Sequence, residues 1–498
     1  MRDPAEMTAV ELVAGYRAGD LSPVEAAEAC LARIHARDAS LNAFVLVEDE
    51  AALTAARESE ARWAQGRPLG PADGVPMTIK DMFPTVGAPT VKGSRLLDAD
   101  DDALDFDAPC VARLREAGAV RLGKTTTPEF AWKGTTDSLR HGATGNPWDT
   151  TTTPGGSSGG AAAAVASGMG AWAVGTDGGG SVRIPASFTG TVALKPTYGT
   201  VPMYPSSPFG TLAHAGPMAR TVTDAAVLLD VISGFDSRDW SALPMPTASF
   251  TEGLEDGIAG LRIAYSPTLG FGSNDPEVER LVAEAVEVLA AQGATVEQVD
   301  PGLSDPVEAF HILWFTGAAK VLEPFGPDAL ERVDPGLRRG IEQHLDDSAL
   351  DYLGATARRM DMGVRMGAFH ETYDLLVTPT MPITAFSKER QTPEGWGSES
   401  WTSWTPYTYP FNMTQQPGAS VPCGTTSTGM PVGLQIVGAR TQDRLVLRAA
   451  RAYERAAGEG FARPVELDEA RRRASGVEAG FGAAADSGSA DQTTSIGR

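Results

Sequence analysis

The thirty-two residues from Thr151 to Val182 carry one charge, Asp177, and two serine sites set in glycine, Gly155-Gly156-Ser157-Ser158-Gly159-Gly160 and Gly178-Gly179-Gly180-Ser181. A segment this small and neutral is not a solvated surface loop, and it is too short and glycine-broken to cross a membrane. The chain must fold around it. Glycine lets backbone N–H groups turn toward a bound group with no Cβ in the way. A hydroxyl closing such a run is a nucleophile candidate beside its own oxyanion donors.

At 498 residues the chain exceeds the usual length of one domain, yet no clear linker divides it. The polar, proline-bearing stretch 236–257 is the candidate connection between a core over about 70–235 and a C-terminal half over about 258–470. We therefore expect one domain over 1–470, N-terminal helices included. Small polar residues from 471 to 498 read as a disordered tail.

Hydrophobic and charged contents of 42% and 21% suit a soluble globular enzyme. A net charge of −23 argues against nucleic-acid partners and anionic membranes. Cys30, Cys110 and Cys423 are far apart and form no C-x-x-C, and the six histidines are scattered, so neither a disulfide framework nor a metal site is expected. The acidic, amphipathic start lacks the features of a signal peptide, which makes the cytoplasm the expected compartment. A homodimer is left open.

Ser22-Pro23-Val24-Glu25 reads as a capping box opening a helix to about His35. Val75 to Lys80 reads as a short apolar strand ending in lysine, 111–117 as a helix, and 119–122 as a buried strand. Strands at 261–265 and 295–299 flank a helix over 276–292, the mark of an α/β protein. Further strands are expected at 375–377 and 432–437, with a closing helix at 445–457.

Three chemistries compete for the glycine–serine block, the first being nucleotide binding in either of two forms. A phosphate-binding loop would need lysine after the last glycine, where Ala161 to Ala164 stand. A dinucleotide fingerprint would need an apolar strand before the glycines, where Thr151-Thr152-Thr153-Pro154 stand. Gly155-Gly156-Ser157-Ser158-Gly159 matches a nucleophile elbow, with Ser157 as nucleophile and His214 or His370 as base, but the same strand is missing. The third chemistry uses both serines and a lysine.

Here the chain resembles the amidase signature family. The resemblance rests on Gly74-Val75-Pro76-Met77-Thr78-Ile79-Lys80-Asp81, the block 153–160, the run from Gly175 to Ala186, Leu194-Lys195-Pro196-Thr197-Tyr198-Gly199, Pro417 to Pro422, and Pro431 to Gly438. It implies an α/β fold with a mixed central β-sheet surrounded by helices, and hydrolysis of an amide or related anilide, ester or carbamate without metal or organic cofactor. It also implies a Ser–cis-Ser–Lys triad: Ser181 as nucleophile, Ser157 after a cis peptide bond as bridge, and Lys80 as base. The resemblance places the oxyanion hole at the N–H groups of Gly178, Gly179, Gly180 and Ser181, with Ser158, Asp177 and Arg183 in support. Relatives carry a bulkier residue at Gly178, which predicts a looser loop here.

The physics agrees with that assignment. A lysine acts as base only when neutral, and removal from water disfavours its charged form. Val75, Met77 and Ile79 supply apolar surroundings, and a bridging hydroxyl donates and accepts at once. Lys124, Lys195 and His214 read as structural, and Asp177 with Arg183 as an ion pair shaping the loop. Trp401, Trp404, Tyr407 and Tyr409 fall at no regular period among polar residues, so they are expected at a pocket rim or lid with Gly395 and Gly397. Phe83, Phe130 and Trp132 are further pocket candidates. The other reading is the glutaminase-like component of a tRNA-dependent amidotransferase. It is weakened by Thr405, which stands where an acid would read the glutamine amino group.

Overall fold

In a computed structural model, residues 2–99 and 104–458 are described, all within one compact unit. The expected tail at 471–498 and the expected domain end at 470 lie outside the described residues.

Eleven strands form one sheet: β1 (Phe44–Val47), β2 (Pro76–Lys80), β3 (Val120–Thr125), β4 (Trp172–Asp177), β5 (Val192–Lys195), β6 (His214–Ala219), β7 (Arg262–Tyr265), β8 (Thr295–Gln298), β9 (Leu375–Pro379), β10 (Gly418–Thr425) and β11 (Pro431–Gly438). Their order is β1-β3-β2-β4-β6-β5-β10-β11-β9-β7-β8. β3, β2 and β4 run parallel, as do β9, β7 and β8, while the centre is antiparallel. Helices surround this mixed sheet, which is the expected architecture. β2, β4, β5, β6, β9 and β11 are buried along their whole length, so both faces of the sheet are covered.

Local signals set several boundaries. Ser22 and Glu25 form a reciprocal capping box, with Pro23 in the first turn. That helix continues past His35 to Leu41 and ends where Asn42 takes a left-handed conformation (φ 52°). The stretch 236–257 holds turns without a helix or strand. Among the described residues, no helix is long and apolar enough to cross a membrane.

Candidate active site

The glycine–serine block sits in the middle of the sheet. Its first half leads into the helix Gly159–Ala166, whose eight small residues are all buried. Its second half contains β4 and the loop 178–182, and leads into the helix Arg183–Thr189. Because β2 and β4 are parallel neighbours, Lys80 and Thr176 reach the same sheet edge, at the carboxyl ends of their strands. The peptide bond between Gly156 and Ser157 is cis.

Lys80 is fully buried, with Nζ 2.7 Å from Ser157 Oγ, 3.0 Å from Ser158 Oγ and 2.8 Å from Thr176 Oγ1. Ser158 donates its own hydroxyl hydrogen to the Thr176 carbonyl at 3.1 Å, so it can only accept from Lys80. A neutral amine has two N–H donors and one lone pair, which matches three hydroxyl neighbours. Burial pushes the Lys80 ammonium well below the usual lysine range, against the opposing charge of Asp177.

The other buried lysines have different company. Lys124 pairs with Asp81 at 2.7 Å, and Lys133 pairs with Asp137 and Asp334. Lys195 donates to the carbonyls of Gln416 and Pro196 and lies 3.4 Å from His214 Nε2. Nδ1 of His214 lies 2.8 Å from the Leu212 carbonyl, and burial with Lys195 holds the imidazole well below its usual range. His370 caps a helix and contacts Gln416 and the Tyr373 carbonyl. Among the described residues no histidine lines the cavity above the serines, so Ser157 lacks there the imidazole that the elbow reading needs.

The loop after β4 is wrapped around the Asp177 carboxylate. Its Oδ1 accepts from Gly180 N–H at 2.8 Å and its Oδ2 from Val182 N–H at 3.2 Å. Burial alone would raise this carboxyl, but Arg183, aided by Lys195 and Asn412, holds it well below the usual carboxylate range. Arg183 spends two donors on Asp177 and the rest on the Thr408 carbonyl, Gln435 and Asn412. The expected oxyanion hole is corrected in one member: the Gly180 N–H is committed to Asp177. Those of Gly178, Gly179 and Ser181 donate to no protein acceptor among the described residues.

A cavity of about 450 Å³ opens over Ser157, Thr176, Gly178 and Ser181. Phe83 and Phe130 line it as expected, together with Met203, Phe209, Trp314 and Phe325. Trp132 stands behind the wall, its carbonyl accepting from Trp314 Nε1 at 3.0 Å. The expected looseness at Gly178 is absent. A Cβ there would meet the Trp314 ring at 2.7 Å, so the missing side chain is replaced by indole. Sequence reasoning misses Trp314, stacked on Phe209 at 4.2 Å, because nothing distinguishes it within the apolar helix Val307–Leu322. It also misses Thr176, although the Gly175-Thr176-Asp177 run that contains it is one of the motifs.

The expected aromatic rim is core instead. Trp401, Trp404, Tyr407 and Tyr409 are at most 3% exposed and none lines the cavity. Three of the four have internal polar partners: Tyr407 hydroxyl with Asn274, Tyr409 hydroxyl with Asp305, and Trp404 Nε1 with the Gln391 carbonyl, while the Trp401 Nε1 is buried without one among the described residues. The segment braces the loop from behind. Trp401 lies where a Gly179 Cβ would be, and Thr408 donates to the Gly179 carbonyl at 2.7 Å.

Known proteins resemble this chain in sequence and fold. A family profile described as Amidase matches residues 25–447. An acylamidase of Rhodococcus erythropolis is 38% identical over 455 residues, covering 90% of this chain and 95% of its own length. A glutamyl-tRNA(Gln) amidotransferase chain of Chloroflexus aggregans is 37% identical, with 88% and 94% covered. Among solved structures, a bacterial aryl acylamidase of the amidase signature family superposes with a TM-score of 0.86 at 31% identity, covering 92% of this chain and 98% of that one. The chain belongs to the amidase signature family of amide hydrolases.

Proposed function

We propose that this enzyme hydrolyses acyl amides with an aryl or other bulky apolar group, through an acyl-enzyme on Ser181. The observation that carries the reading is Lys80, buried, surrounded by hydroxyls, and joined through Ser157 to an apolar cavity that Ser181 also lines. Ser181 Oγ attacks the substrate carbonyl as its proton passes to Ser157 and the Ser157 proton to Lys80. The resulting oxyanion is met by the N–H groups of Gly178, Gly179 and Ser181, worth about 3 kcal/mol per donor. Lys80 returns the proton through Ser157 to the leaving amine, and water releases the acid by the reverse relay.

Glutamine, suggested by the amidotransferase relatives, suits the cavity less well. A glutamine needs an acid for its ammonium group, and no Asp or Glu lines the cavity among the described residues. Thr405, at the position expected to read that group, is buried. The three cysteines are unpaired and buried, which fits a reducing compartment such as the cytoplasm.

Two measurements test the reading. Trapping with a fluorophosphonate and mapping the modified peptide should place the label on Ser181; a label on Ser157 would reverse the roles of the serines. Turnover of a p-nitroanilide, acetamide and glutamine side by side should favour the anilide. Preference for glutamine would make the amidotransferase reading correct.

The pH dependence follows from Lys80. Its protonated form is inactive, so kcat/KM should fall as pH drops through its lowered folded-state value and hold above it. Burial with Lys195 holds His214 well below its ordinary value of about 6.5, so no limb is expected there. A profile whose midpoint moves when His214 is replaced would contradict the lysine base.

A further inference from the structure

The helix Ala349–Phe369 buries one face through Ala355, Met362 and Met366, and among the described residues nothing covers the opposite face. There Leu350, Leu353, Met360 and Val364 are 78%, 60%, 66% and 75% exposed. Ala357 and Gly367, between and after them, are exposed as well. Their alternating steps of three and four place all six on one stripe, the pattern of a helix that meets another helix. Large apolar side chains concentrated on one face differ from singly scattered ones and mark an interaction surface.

The stripe is self-complementary, because its spacing reads the same in both directions. A second helix laid antiparallel sets Leu350 against the partner's Gly367, Leu353 against the partner's Val364, and Met360 against the partner's Ala357. Large meets small at two of the three levels, and a Cβ at Gly367 would meet nothing within 4 Å, so that hollow is open. Charge agrees with the same register. Asp361 and Arg358, both exposed on the same side of the stripe, come within reach of the partner's Arg358 and the partner's Asp361, although Arg358 Nη2 also donates to Ser304 Oγ of its own chain at 2.9 Å. A twofold axis needs this reciprocity, in which each residue meets the one that meets it.

We propose that the chain forms an antiparallel twofold dimer through this helix face. A lipid surface fits less well, because the net charge of −23 disfavours anionic headgroups and Asp361 lies beside the stripe. The helix spans 21 residues, about 31 Å, so the contact lies at the low end of specific interfaces and association is reversible. None of the stripe residues lines the catalytic cavity, so turnover is separate from association.

Sedimentation velocity of the wild-type chain over a concentration series should show a monomer–dimer equilibrium. Val364→Asp should leave a monomer with unchanged kcat/KM. Arg358→Glu and Asp361→Arg should each weaken the dimer, and together restore it. Leu353→Cys with Val364→Cys should oxidise to a covalent dimer, since these positions are too far apart in one helix to bridge, while either change alone should not. A wild-type monomer at every soluble concentration would overturn the proposal. So would crosslinking by Leu353→Cys alone, which means a different register, or binding of the monomer to neutral phosphatidylcholine vesicles through this face.

Discussion

Replacing Ser181 with alanine should lower kcat/KM by roughly four to six orders of magnitude with the fold intact, the loss typical of a removed nucleophile. Lys80→Ala should lose nearly as much, since Lys80 contacts three hydroxyls and no carboxylate pairs with it among the described residues. Groups of one relay act as a unit, so the double variant should be little worse than Ser181→Ala alone. Burst kinetics with an activated ester distinguish the steps: Ser181→Ala should show no burst. Retention of more than about a tenth of the wild-type rate in Ser181→Ala, a loss under one log unit, would falsify the assignment.

Much of this site is legible because its chemistry is concentrated in short, ordered motifs. Lys80 ends an apolar strand, and both serines sit in glycine runs that only a buried site would retain. What the motifs do not specify is how shared acceptors are divided. Gly180 looks like an oxyanion donor in the sequence, yet its N–H goes to Asp177, whose carboxylate is turned into the loop by Arg183. That depends on Thr408, Asn412 and Gln435, more than two hundred residues away.

The misplacement of the tryptophan–tyrosine segment has the same origin. Its serines and threonines suggest water, but buried polar groups are tolerated once each has a partner. Thr408 finds the Gly179 carbonyl, Tyr409 finds Asp305, and Ser403 accepts from Trp396 Nε1. Several strands are also hidden by composition. β6 reads His-Ala-Gly-Pro-Met-Ala and β10 begins with Gly418, with few of the β-branched residues that mark strands. Burial on both faces removes the alternation that would have exposed them.

Arg183 is therefore expected to matter more for stability than any residue that touches substrate. Arg183→Met keeps most of the side-chain volume but leaves the Asp177 carboxylate buried without its cation, a change that costs about 3–5 kcal/mol. Activity should fall with stability, because the loop that presents Ser181 is shaped around that carboxylate. The pH dependence identifies the cause. In the wild-type chain Asp177 titrates below its unfolded value, so its contribution is present above that value and lost as pH falls through the folded one. Without Arg183, burial raises the same carboxyl, and acidification relieves the variant by protonating it. The stability gap between the two proteins should thus be widest near neutral pH and narrow toward acid. Urea unfolding at several pH values measures it; a gap below about 1 kcal/mol, within the range of an exposed ion pair, would show that the pair does not hold the loop.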